Sequence, residues 1–339
     1  MAKATIDDVA ALAGVSMKTV SRVVNKEPNV RASTRDKVQA AIDELDYRPS
    51  QSARSLAANR SYVLGLLYDN PSANYVIDVQ EGALQTCRRA GYDLLIHPCR
   101  HTEPELVDEV LALVRQGRVD GLILTPPVSD MTDLVNGLVN AGVPFVRLSP
   151  TENKSACPYV QTNDQEAAYD MTCRLLELGH ERIGFIAGHP DHKAVADRYQ
   201  GYLAALKESR IKLAPELVVQ GYNSFDSGRE CAKLLLDLSA PPSAIFASND
   251  DMAAGVIKEA HHRQLRIPGQ LSVAGFDDTP VAHQIFPSLT TVSQPIEEMS
   301  CKAAELLIKQ LQGKAVQMPA AIMSCRVLVR ESTGERQND

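Results

Sequence analysis

Tryptophan is absent from the 339 residues, so any aromatic stacking surface must be Tyr or Phe. Seven cysteines lie at 87, 99, 157, 173, 231, 301 and 325, without a CxxC pair. That odd, scattered set argues against a disulfide framework or a structural zinc site, and for reduced thiols in a cytoplasm. No apolar run approaches the ~20 residues that span a bilayer. Nothing hydrophobic follows Lys3 in the manner of a secretory signal, so a cytoplasmic chain without membrane association is expected. GxSxG, Walker A, GxGxxG and HExxH patterns are all missing. No enzyme, cofactor or metal is therefore predicted. His97-x-Cys99-x-His101 and His189-Pro-Asp191-His192 have neither helical i, i+4 spacing nor a paired Cys, and are not read as metal ligands.

What is present is ordinary for a globular chain, with 44% hydrophobic and 23% charged residues and length for two to three domains. The net charge of −7 is unevenly spread. Residues 1–60 carry ten Lys/Arg against seven Asp/Glu, while the other 279 carry 25 against 35. A basic head on an acidic body suits a protein whose head alone approaches phosphates.

The first 46 residues read as three short helices. Thr5-Ile6-Asp7-Asp8 fits a capping box, and Gly14 breaks the run that follows. Ser16 is an N-cap for a second helix, with Val20, Val23 and Val24 as its buried stripe. Ser33-Thr34-Arg35-Asp36 is read as another capping box. Two helices joined through a Gly turn and braced by a third give a helix-turn-helix layout. Residues 47–60 form a Ser-, Ala- and Arg-rich linker after Pro49, with about two helical turns that are too short to persist without a partner.

From residue 61 strand-like runs at 63–68, 92–97, 119–124, 144–148, 182–187, 243–247 and 271–276 alternate with helical stretches. The predicted class is α/β, with two doubly wound parallel-sheet lobes behind an all-α head. Ligands of such sheets bind beyond the carboxyl ends of the strands. The residues there are Asp69 and Asn70, Ser149, His189, Asn249 and Asp250, and Asp277 and Asp278. Carboxylates and amides at those positions suit a small polyhydroxyl or heterocyclic ligand. Asp250 and Asp278 are read as helix caps, Asn249 and Asp277 as ligand contacts.

Ile6-Asp7-Asp8-Val9-Ala10, Ala13-Gly14-Val15-Ser16 and Thr19-Val20-Ser21-Arg22-Val23-Val24-Asn25 resemble the DNA-binding head of the lactose-repressor/galactose-repressor (LacI) family. The likeness continues through Tyr47-Arg48-Pro49 and Ala53-Arg54-Ser55-Leu56-Ala57. It recurs at Arg118-Val119-Asp120-Gly121, Ser248-Asn249-Asp250-Asp251-Met252-Ala253, Gly275-Phe276-Asp277-Asp278 and Pro287-Ser288-Leu289-Thr290-Thr291-Val292.

The resemblance implies a head over 1–46, a hinge helix over 47–60 and a periplasmic-binding-protein-like core over 61–339. Within the core, 61–162 and 293–323 would form the lobe next to DNA and 163–292 the distal lobe. Met17, Lys18 and Arg22 would read bases, Arg22 being suited to bidentate bonds with guanine. Ser16, Thr19, Ser21 and Asn25 would hold phosphates. Ala53 and Leu56 would enter the minor groove, Leu56 as a wedge that kinks the duplex. Arg198 matches a family effector ligand, as do Asn249 and Asp277. Tyr75 and Phe225 are the candidate stacking rings.

Ser149 stands where many sugar-responsive members have Asp, and Asn223 where an aromatic is common. Arg147 occupies a usually apolar strand position, where a charge must find a partner or solvent. Purine-binding members usually have an aromatic near Ser149, which is missing here. The reading is a homodimeric repressor released from a near-palindromic operator by a small sugar. The alternative is a corepressor-type regulator answering to a purine. No leucine heptads occupy the tail, so a tetramerising coiled coil is not expected. A sugar-binding transport protein and an enzyme on the same scaffold are the readings from other classes.

Overall fold

The computed structural model describes residues 4–24, 29–47, 55, 60–314 and 320–337. Asn25, Ala53 and Leu56 lie outside these described residues. The chain divides into two units, Met1–Ser61 and Tyr62–Asp339.

The first unit holds α1 (Ile6–Ala13), α2 (Met17–Val24) and α3 (Ala32–Glu44). The capping box that starts α1 is complete. Thr5 Oγ1 accepts from Asp8 N, and Thr5 N donates to Asp8 Oδ2 at 2.8 Å. Gly14 ends the helix at φ 65°, a left-handed backbone that a side chain would disfavour. Ser16 Oγ then accepts from Thr19 N at 3.3 Å and opens α2. The box expected at Ser33 is not formed. Helix α3 begins at Ala32, behind Arg31 and with no side-chain cap bond, so Ser33 is already inside the helix where a capping geometry is excluded. Val9, Val20, Val23, Val38, Ala41 and Tyr47 close into one small core.

The second unit contains two six-stranded sheets. In the first, β1 (Val63–Tyr68), β2 (Asp93–Pro98), β3 (Gly121–Leu124), β4 (Phe145–Leu148), β5 (Tyr159–Thr162) and β11 (Ala320–Met323) run parallel, in the order β11-β5-β4-β3-β1-β2. The second sheet has β6 (Ile183–Ala187), β7 (Val218–Gln220), β8 (Ala244–Ala247), β9 (Ser272–Asp277), β10 (Thr290–Ser293) and β12 (Arg326–Leu328) in the order β12-β10-β9-β8-β6-β7. Within it, β12 pairs antiparallel with β10. Both sheets reverse direction beside their first strand, at β1 and at β6. Loops that diverge there leave a crevice at the carboxyl ends.

Strands β5, β7, β10, β11 and β12 do not appear in the sequence reading. Each has three or four residues, and in all but β11 polar side chains weaken the apolar signal. Helices α4 (Ala73–Ala90), α5 (Leu106–Arg115) and α6 (Thr132–Asn140) serve the first lobe, joined by α12 (Ile296–Leu311). Gly82 permits α12 to lie against α4, since a Cβ there would strike the Glu297 carbonyl. Ser300 Oγ donates to Val79 O at 2.6 Å across the same seam. Helices α7 (Asp164–Glu177), α8 (Ala194–Glu208), α9 (Phe225–Leu236), α10 (Asp250–His262) and α11 (Val281–Gln284) belong to the second lobe.

The chain passes between the lobes after β5, after β10 and between β11 and β12. The crossings are tied together. Asn163 N donates to Met323 O at 3.2 Å, Cys325 N to Asn163 Oδ1 at 2.8 Å, and Thr162 Oγ1 to Gln294 Oε1 at 3.4 Å. Among the described residues, no helix is long and apolar enough to cross a membrane.

Candidate functional site

On the head, helical spacing puts Lys18 and Arg22 on one face of α2 with Met17 and Ser21 beside them. Met17 is 52% exposed, and Lys18 and Arg22 are exposed. Val20 and Val23 turn the opposite way, into the core. An exposed face carrying a cation fork, an ammonium and a thioether can enter a groove without disturbing the bundle. Ser16 and Thr19 hydroxyls lie 3.0 Å apart at the amino end of α2, where N–H groups favour an anion.

In the body, a cleft between the lobes encloses about 510 Å³, part of it open to solvent. Of the residues named from the sequence, Asn70, Tyr75, Ser149, Arg198, Asn249 and Asp277 line it. Its floor is an ion-pair cluster. Arg198, on α8, places Nε 2.9 Å from Asp164 Oδ2 and Nη1 3.4 Å from Asp277 Oδ1. The guanidinium also donates to Ser248 O and lies 3.8 Å from the centroid of Phe276. Gln294 Nε2 donates to Asp277 Oδ1 at 2.7 Å. Burial pushes the Asp277 carboxyl up to about 7, against the pull of Arg198 and the Gln294 bond. Burial also raises the Tyr75 phenol, with Asp277 adding to it. Ser149, Asn223 and Asp277 hold φ of 43°, 55° and 111°. Left-handed backbone at non-glycine residues carries strain, and these three residues of the cleft lining hold it.

Three candidates do not line the cleft. Asp69 is occupied by His101, at 2.6 Å from Nδ1. His189 gives its backbone N–H to Asn223 Oδ1 at 3.1 Å, while its ring packs edge-on to Tyr222. Phe225 is the first residue of α9 and stays 42% exposed. The capping assignments also change. Asn249 is the N-cap of α10, accepting from Met252 N at 3.0 Å, and its amide donates to Asn223 O at 3.2 Å. Asp250 is buried, and accepts instead from Thr279 N at 2.8 Å and Thr291 Oγ1 at 2.5 Å. Asp278 pairs with Arg330 at 2.5 Å rather than capping.

Sequence reasoning missed Ser72, Asp164, His192 and Gln294, all in the lining. Asp164 and Gln294 follow β5 and β10, whose Gln161 and Thr162, and Thr290, Thr291 and Ser293, hide the apolar run that marked the other strand ends. Asn223, noted only as a departure from the family pattern, also lines the cleft. Arg147 does find partners. It is 1% exposed and donates to the carbonyls of Ser129 at 3.2 Å, Glu152 at 3.0 Å and Asn153 at 2.5 Å.

A helix-turn-helix head on a two-lobed body with a polar cleft defines a ligand-responsive, DNA-binding regulator. Residues 5–50 match the model of bacterial regulatory proteins of the lacI family, and 172–333 match a periplasmic binding protein-like domain. The HTH-type transcriptional repressor PurR of Vibrio atlanticus is 34% identical over 92% of this chain and 93% of its own length. The chain belongs to the lacI family of transcriptional regulators. Its fold is similar to that of the lac repressor dimer bound to operator and the anti-inducer ONPF, with TM-score 0.81, 27% identity, and coverage of 98% of this chain and 100% of that one. It is also similar to the complex of transcriptional regulator CelR with cellobiose, with TM-score 0.74, 29% identity, and coverage of 97% and 100%.

Proposed function

We propose that the chain is a cytoplasmic, homodimeric repressor that leaves a near-palindromic operator when a neutral sugar fills the interlobe cleft. The observation that carries the sugar is the floor of the cleft. Two carboxylates, Asp164 and Asp277, share one guanidinium, so the cluster repels anions and offers acceptors to hydroxyls. Asn70, Asn223 and Gln294 add amides that can both donate and accept. Residues 1–46 form the head and 47–60 the hinge, with Leu56 and Ala53 in the minor groove. Met17, Lys18 and Arg22 read bases, and Ser16, Thr19, Ser21 and Asn25 hold phosphates. The body acts as an effector sensor and not as an enzyme. The solved lac repressor is a dimer on its operator and CelR holds cellobiose, which supports both halves of this reading.

The test is a thermal-shift screen of the purified protein against neutral sugars, phosphosugars and nucleobases, followed by operator titration. A sugar at a hundred times its Kd stabilises by about 2.7 kcal/mol and weakens operator binding. A purine that stabilises and tightens operator binding overturns the reading in favour of a corepressor.

A further inference from the structure

Three polar bridges join the lobes across the cleft. Ser72 Oγ donates to Asp251 Oδ2 at 2.8 Å, and Lys193 Nζ lies 2.6 Å from Glu152 Oε1. The third is a histidine between two carboxylates. His101 Nδ1 is 2.6 Å from Asp69 Oδ2, and Nε2 is 3.0 Å from Asp191 Oδ2. Asp69 and His101 belong to the first lobe, Asp191 to the second.

We propose that His101 is a proton-operated latch. Its imidazolium donates one N–H to Asp69 within its own lobe and the other to Asp191 across the cleft, holding the lobes closed. Loss of the proton lets them part. The latch is a property of the unliganded body and does not depend on which effector the cleft takes.

The double bridge requires the charged ring. A neutral imidazole has a single N–H, so one of the two carboxylates would face a lone pair. The ring is also aimed before the lobes meet, because the backbone N–H of His101 donates to Asp69 Oδ2 at 2.8 Å. Opening therefore breaks the Asp191 contact alone. Burial opposes the charge on His101, but Asp69 and Asp191 more than offset it and raise its proton affinity. Asp69, despite burial, is held below the usual carboxylate range by the same contacts.

Among the described residues, the other titratable groups near the ring are His192, His189 and Cys99. Burial and the neighbouring His189 push His192 down to about 4, so it stays neutral near pH 7. His189 Nδ1 accepts from Asp191 N at 3.2 Å and lies 3.7 Å from Asp191 Oδ2, a contact made within the second lobe that does not cross the cleft. Burial raises the Cys99 thiol to about 12, leaving it uncharged. Arg100 and Glu103 lie within two residues of His101 in sequence, and Arg198 acts on the neighbouring His192.

The closed form binds the proton more tightly than the open one. Closure is therefore fully favoured at pH values where the ring is charged in both forms, and is lost as pH rises through the raised value of the closed form, while Asp69 keeps part of that rise in the open one.

The test reads an interlobe distance in the full-length, ligand-free protein. Spin labels on p-acetylphenylalanine replace the exposed Val139 and Leu234, one in each lobe, and labelled protomers are diluted with unlabelled chain. Electron–electron resonance is recorded at pH 6.0 and 8.5. The distance is expected to lengthen at pH 8.5 in the otherwise unaltered protein. In His101→Gln and Asp191→Asn it is expected to stay long at both pH values, with circular dichroism confirming the fold. Asp191→Asn should also lower the His101 pKa read from imidazole nitrogen shifts. An unchanged distance in the parent protein, or a full pH response in Asp191→Asn, overturns the latch.

Discussion

Asp277 answers to three groups at once: a guanidinium at 3.4 Å, an amide at 2.7 Å and the second carboxylate of the cleft floor. Because its carboxyl is raised from 3.8 to about 7, the folded protein binds that proton more tightly than the unfolded chain does. The Asp277 contribution therefore turns against folding as pH climbs between those values. Asp277→Asn should flatten the fall in melting temperature between pH 5 and 8, keep operator binding and abolish the effector response. Normal induction would remove Asp277 from the ligand set. This residue was legible because it follows the apolar run 271–276 and closes β9. His192 was not, since it sits in a loop that sequence periodicity does not describe. Arg198 was legible only through the family likeness, because nothing in its helix pattern distinguishes a buried arginine from a surface one.

At the scale of elements, the amino end of α1 shows how directly local chemistry can be read. Thr5 and Asp8 form the box that their spacing predicts, and Thr5→Ala should destabilise the head by about 1 kcal/mol in a denaturant titration. The same rule failed at α3, where the helix starts one residue ahead of Ser33. A capping motif needs a non-helical residue beneath it, and sequence spacing alone does not report backbone angles. Strand β4 makes the opposite case. Arg147 looks like an intruder in an apolar run, yet its three carbonyl partners fix the loop that carries Ser149 and Glu152. Arg147→Met should remove the donor from the Ser129 and Glu152 carbonyls, Asn153 keeping its bond from Ala156 N, and cost on the order of 3 kcal/mol in thermal or urea unfolding. It should also weaken effector binding by displacing Ser149. A stability change under 1 kcal/mol would show that the loop holds itself.

For the molecule as a whole, the proposed function divides recognition between reading bases and deforming the duplex. Arg22→Ala should erase discrimination among operators, by about 1–3 kcal/mol per contacted guanine, while salt-dependent binding to any DNA persists. Uniform loss on all sequences would instead make Arg22 a phosphate contact. Leu56→Ala should lower specific affinity and straighten the operator in a gel bending assay. The two-lobed architecture was readable from the alternation of strand and helix. The edge strands β7, β11 and β12 were not, because they are short and set by pairing with neighbours distant in the chain.

Tying the three connecting segments together beside Gln294 and Asn163 places the axle of the body at the bottom of its cleft. A displacement close to an axle is small, yet at the outer rims it grows in proportion to distance. A compact molecule seated on Asp277 and Gln294 thus has leverage out of proportion to its size. Substitutions among these connecting residues should retune how far the rims travel without altering what is bound.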